Sequence, residues 1–180
     1  MNWNEGNVFI LNDFDEGMES SIVLPLTLEV QKQSRERDGQ IDLYVNSFGG
    51  YAHLVHHLIE LVEIAKRNDV VVRTIVPSVA FSAGSMIAVA GTPGERYISK
   101  DAEHLIHYGR AMGSQEETPK QVERWSAYKA RDFKKAITHY QKYAKVPNLD
   151  TEMMDDGWFI PAAKCIKYGL ADKYIEKLEI

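Results

Sequence analysis

Apolar and polar positions along the chain switch between a period near two and a period near 3.6, and these switches mark out its elements. Asn7-Val8-Phe9-Ile10-Leu11 has the pattern of a short strand that ends at the polar pair Asn12-Asp13. Over residues 18–37 the apolar positions Ile22, Val23, Leu26, Leu28 and Val30 approximate a helix face, with Pro25 bending it or marking its first turn. Residues 41–45 read as a strand, cut off by Asn46-Ser47-Phe48-Gly49-Gly50. A strong amphipathic helix follows over 52–68, carried by Leu54, Val55, Leu58, Ile59, Leu61, Val62, Ile64 and Ala65. The β-branched run 70–76 has buried-strand length and is punctuated by Pro77-Ser78. Beyond it, small and apolar residues without charge or proline continue to Gly91, which predicts a helix buried nearly all round and closed by that glycine.

This order of strand, glycine turn, helix, strand and helix predicts an α/β fold with a largely parallel sheet, right-handed crossovers and a site at the carboxyl ends of the strands. Residues 103–107 form another short strand pattern, and Thr118-Pro119 is an N-cap and N1 pair opening a long helix to about Lys145. At 1.5 Å per residue that helix is roughly 40 Å long. Its aromatics, Trp125, Tyr128, Phe133, Tyr140 and Tyr143, present more apolar surface than one domain of this size covers, which predicts docking against a second subunit. A last helix over 161–168 stops at Gly169, and Asp172 to Ile175 finishes as an edge strand.

Composition narrows the classes of function. With 180 residues, 44% hydrophobic and 26% charged, the chain is expected to form one globular domain over 1–180 with a substantial core. A net charge of −5 without a local basic stripe argues against nucleic acid or an anionic membrane as partner. No uncharged run approaches the roughly 18 residues needed to span a bilayer. The first residues, Met1 to Gly6, have neither a basic n-region nor an apolar h-region, so a cytoplasmic location is expected. The single cysteine, Cys165, excludes an intrachain disulfide and a cysteine-cluster metal site and reads as a small buried filler.

The chemistry is expected to start at Ser82, a serine between a β-rich run and an apolar helix. There its hydroxyl would lie at the end of the sheet, beside the free N–H groups of the helix start, which can stabilise an oxyanion. A lone serine in this position is more often an N-cap; its company decides otherwise. The paired Gly49-Gly50 after a strand lets backbone amides point into a site. His107, at the end of its strand, can turn its ring into a cleft, whereas His104, three residues earlier, faces the other way along an alternating strand. His53, His56 and His57 share a helix, but no carboxylate or cysteine completes a metal site with them.

These residues carry a resemblance. Asn46-Ser47-Phe48-Gly49-Gly50, Ser82-Ala83-Gly84-Ser85 after Ser78-Val79-Ala80-Phe81, Gly91, Ile106-His107 and Tyr168-Gly169-Leu170-Ala171-Asp172 resemble the motifs of the Clp protease proteolytic subunit family, ClpP, over nearly the whole chain. The 25 residues between Ser82 and His107 match the family's spacing too. Phe48 stands where that family has proline, Ser78-Val79 where it has Gly-Gln, and Ala83 where it has methionine, which resembles its more divergent, phage-type branch.

The resemblance implies the ClpP/crotonase fold, a spiral of ββα units with a protruding handle helix at about 118–146. It implies a Ser-His-Asp triad of Ser82, His107 and Asp156, with Asp155 the alternative, because an ungapped count from Tyr168-Gly169 lands on Gly157. It further implies an oxyanion hole from the Gly50 and Ala83 N–H groups, no metal or organic cofactor, unfolded polypeptide substrates and a homo-oligomer of stacked heptameric rings. A Clp-type AAA+ ATPase is the partner the family suggests; because the chain begins close to its first strand, the amino-terminal segment on which that ATPase docks is expected to be short or absent. Two other classes remain open: a catalytically weak or inactive ring subunit that modifies a host or sister ClpP, and a crotonase-type acyl-CoA enzyme, which would not need Ser82 paired with His107.

Overall fold

The computed structural model describes residues 3–107, 109, 118–154 and 157–177. Two sheets share its strands. The larger has the order β1 (Trp3–Glu5), β2 (Val8–Leu11), β3 (Gln40–Val45), β4 (Val71–Val76), β6 (Arg96–Ile98) and β9 (Lys173–Tyr174); every neighbouring pair is parallel except β1 with β2. The smaller has the order β5 (Val79–Phe81), β7 (Glu103–Ile106), β8 (Trp158–Pro161), with β5 parallel and β8 antiparallel to β7. The chain alternates between them: β4 is followed by β5 in the other sheet, β6 by β7, and β8 by β9. This is the expected winding of strand pairs and helices.

The helices are α1 (Leu24–Gln33), α2 (Ala52–Arg67), α3 (Ala83–Val89), α4 (Pro119–Tyr143), α5 (Leu149–Met154) and α6 (Ala162–Tyr168). Pro25 lies in the first turn of α1, where a missing N–H costs little, and the turn before it, Glu19–Val23, is a π-helix. Ile41, Leu43 and Val45 of β3 are buried on one face against Leu54, Val55, Leu58 and Val62 of α2 in a single apolar cluster. On the opposite face Asp42 accepts a fork from Arg73 across to β4, so the polar residues of these strands are paired rather than left bare.

Three sequence expectations need correction. The run ending at Val76 does not lead directly into Ser82: the chain leaves the larger sheet at Pro77-Ser78, and Ser82 follows the separate strand β5. Gly91 does not close α3 in a left-handed turn. The helix ends at Val89 with Ala90 as its right-handed cap, and Gly91 is small because a Cβ there would meet Thr74 Oγ1 at 2.7 Å. The aromatics of α4 are not all surface. Its first half projects, with Val122, Trp125 and Tyr128 exposed, but Tyr140 is 2% exposed in the core. His139 Nε2 donates to Met86 O at 2.7 Å, and the Tyr143 hydroxyl donates to Glu63. The end of the long helix is therefore an anchor within this chain.

Candidate active site

β5 ends at Phe81, α3 begins at Ala83, and Ser82 between them has φ 54° and ψ −117°. A non-glycine residue outside the common basins costs on the order of 1–3 kcal/mol and persists only where its surroundings fix it. Here the Ser82 N–H donates to Leu105 O at 2.8 Å and its carbonyl accepts from Met86 N at 3.1 Å, so strand ladder and helix hold the elbow from both sides. This sharp turn lifts the side chain out of the sheet, as a nucleophile elbow does.

The glycine pair after β3 approaches the same elbow. A Cβ on Gly49 would come within 2.7 Å of Ser82 Cβ, and one on Gly50 within 2.3 Å of Phe14 O; their φ values are +107° and +143°. Both positions therefore require glycine, for space and for backbone conformation. Phe14 N donates to Gly49 O and Tyr51 N to Phe14 O, each at 2.9 Å, a ladder that leaves the Gly50 N–H outside it. The Gly49 N–H is used by Ser47 Oγ at 3.0 Å. Ala83, as the first residue of α3, carries an N–H with no intrahelical acceptor.

A groove of about 510 Å3 opens beside this elbow, lined by Gly50, Ser82, Ala83 and His107. Met86, Val55, Ala136 and Tyr140 supply apolar walls; Trp125, Tyr128, Lys129 and Asp132 of α4 and His53 of α2 form others. Thus the two residues singled out for nucleophile and base, and the two expected to supply the amide donors, line one cavity. Sequence reasoning missed the α4 contribution, because the groove forms only when that helix folds back over α3.

His104 takes the opposite side of its strand. It is 0% exposed, its Nδ1 pairs with Ser85 Oγ at 2.9 Å, and its Nε2 has no hydrogen-bond partner among the described residues. Burial, with a smaller contribution from the Arg96 charge, pushes it down to about 3, so it is neutral. Asp155 and Asp156 lie outside the described residues. Gly157, which follows them, packs against His107: a Cβ on it would lie 3.2 Å from His107 Cβ.

The remaining candidates are structural. His56 pairs with Asp132 of α4 at 3.4 Å, and among the described residues no three metal-ligating side chains converge. Cys165 is buried, donates to Ile160 O at 3.2 Å, and has its thiol pushed up to about 12 by burial. Glu63 on α2 takes hydrogen bonds from Lys142, Lys66 and Tyr143; they outweigh the opposing effect of burial and hold its carboxyl at about 2. No helix among the described residues is long and apolar enough to cross a membrane.

Comparison with known proteins places the chain in a family. The Clp protease family model matches residues 2–178. The ATP-dependent Clp protease proteolytic subunit of Streptococcus mutans serotype c is 26% identical over 175 residues, covering 96% of this chain and 86% of that protein. The subunit of the same name from Lactococcus lactis subsp. lactis is 28% identical over 172 residues, covering 94% and 82%.

Proposed function

Since the chain belongs to the Clp protease family, we propose that it is a serine endopeptidase acting on unfolded polypeptides, as one peptidase domain over 1–180. Ser82 Oγ attacks the scissile carbonyl while His107 takes its proton, and His107 then returns that proton to the leaving amine. Asp156, or Asp155 beside it, orients the imidazole and stabilises its charged form. The packing of Gly157 against His107 supports a carboxylate from this part of the chain. The Gly50 and Ala83 N–H groups receive the oxyanion; losing one such donor costs roughly 100- to 1000-fold in rate.

The observation that carries the reading is the shared groove: a strained serine elbow, two amide donors outside their ladders and a strand-end histidine line one cavity. A crotonase-type enzyme needs the amide donors but has no use for His107 beside Ser82. The reaction as written uses no cofactor. Stacked heptameric rings in the cytoplasm, with a Clp-type AAA+ ATPase feeding substrate, complete the proposal on the strength of the family.

The test is hydrolysis of an unstructured polypeptide by the purified chain and by Ser82→Ala. Cleavage by the wild type and none by the variant is expected; undiminished cleavage by Ser82→Ala would remove Ser82 as nucleophile.

A further inference from the structure

A row of aromatic side chains adjoins the groove. In the smaller sheet Phe81, Leu105 and Phe159 are in register across β5, β7 and β8. They share the outer face, since the alternate positions Ala80, His104 and Ile160 are all 0% exposed. The rings of Phe81 and Phe159 meet edge to face with centroids 5.5 Å apart, and Phe48 continues the row against Phe81 at 5.6 Å. Phe48 is 72% exposed and Phe159 54%. Large apolar side chains left in contact with one another and with water mark a surface that binds something.

The row runs into the groove without a break. Phe48 belongs to both, because it lines the groove beside Gly50, and Phe81 is the residue before Ser82. A polypeptide lying extended past Ser82 points successive side chains to opposite sides. One that seats a side chain against Met86 and Tyr140 therefore presents a neighbouring one to Phe48. The edge-to-face packing already fixes the rings, so little rotamer freedom is lost when a side chain lands on them.

We propose that Phe48, Phe81 and Phe159 form a second substrate subsite that selects an aromatic or large aliphatic side chain near the scissile bond, apart from the one held in the groove. The proposal rests on the peptidase reading above and names where that site's further selectivity lies.

The experiment uses internally quenched peptides in which each position from three before to three after the scissile bond is, in turn, Phe or Ser. The readout is the ratio of kcat/KM for the Phe and Ser peptides, measured for wild type, Phe48→Ser, Phe159→Ser and Phe48→Tyr. Wild type should favour Phe at two positions. At one of these the ratio should fall about tenfold in both Ser variants and be kept by Phe48→Tyr, while at the other it stays in Phe159→Ser, whose side chain does not line the groove. Because the ratio is taken within each variant, a partial loss of folded protein does not move it.

Equal ratios in wild type and both Ser variants would overturn the subsite and leave the peptidase standing. A change in sedimentation of Phe159→Ser with no change in the ratio would likewise overturn it, by making the row a contact between copies of the chain. If wild type cleaves none of the peptides, the peptidase reading fails and the subsite with it.

Discussion

Ser82 is held in its uncommon conformation by neighbours that have no spare room, so the residues around it should be intolerant in specific ways. Gly49→Ala would drive a methyl to within 2.7 Å of Ser82 Cβ at a φ of +107°. It should lower peptide hydrolysis at least a hundredfold, with thermal unfolding showing a loss of order 1–3 kcal/mol. The two strand histidines should separate cleanly. His107→Ala should nearly abolish hydrolysis in a chain that still folds. His104→Ala, which empties a buried site and takes one of its two side-chain partners from Ser85, should cost about 2–4 kcal/mol of stability while the folded fraction keeps its rate. Opposite results for the two would mean the strand faces the other way at the site. His104 and His139 are pushed by burial to about 3 and about 4 from 6.5. The unfolded chain therefore binds protons that the folded one refuses, and each histidine should remove up to about 1.4 kcal/mol per pH unit as pH falls from 6.5 toward 4. Denaturant midpoints across that window test this, and His104→Asn should reduce the slope. The Glu63 contribution is lost only below its unfolded value of 4.5, as pH falls toward about 2, so it lies outside the histidine window.

At the level of elements, α4 divides into two halves with different duties. Its 25 residues, about 37 Å at 1.5 Å per residue, begin with a capping box of Thr118 and Gln121. From Pro119 to Ala130 every side chain but Lys129 is exposed; the end is tied down by Tyr140, by His139 on Met86 and by Lys142 and Tyr143 on Glu63. Helical spacing cannot distinguish Trp125 from Tyr140, because the difference is made by the α2 and α3 groups that hold the second half: Ser85 on Tyr140, Met86 on His139, and Glu63 on Lys142 and Tyr143. A glutamate pair at Val122 and Trp125 should therefore shift sedimentation to a smaller particle with the circular dichroism unchanged, whereas Tyr140→Glu, burying a charge, should lose the fold itself. Of the smaller sheet's strands, β5 and β8 escaped sequence reading for a related reason, whereas β7 did not. β5 has three residues, too few to show a period, and β8 is an aromatic run, Trp158-Phe159-Ile160, that reads equally well as the approach to a helix. Strands β2, β3, β4 and β9 of the larger sheet, α2 and the stop at Gly169 were legible because each has its own local signal. The meeting of Ser82, His107 and Gly50 at one groove was legible too, since each sits at a switch between elements. The carboxylate was not, because neither periodicity nor spacing fixes a register between Asp150 and Gly157.

For the whole molecule, the proposed stacked rings would use the exposed first half of α4 as a contact between copies and would have the groove open toward an enclosed space. Peptide bonds would then be cut only in chains that can thread inside. Ser82 of the folded, assembled protein is proposed to be an activated nucleophile. Native mass spectrometry after treatment with a fluorophosphonate, followed by peptide mapping, reads particle mass and modified residue together. The expected result is a particle of many subunits carrying the adduct on Ser82, with no adduct in Ser82→Ala or in protein unfolded before treatment. A folded particle left unmodified at Ser82, or modified equally in Ser82→Ala, would contradict it.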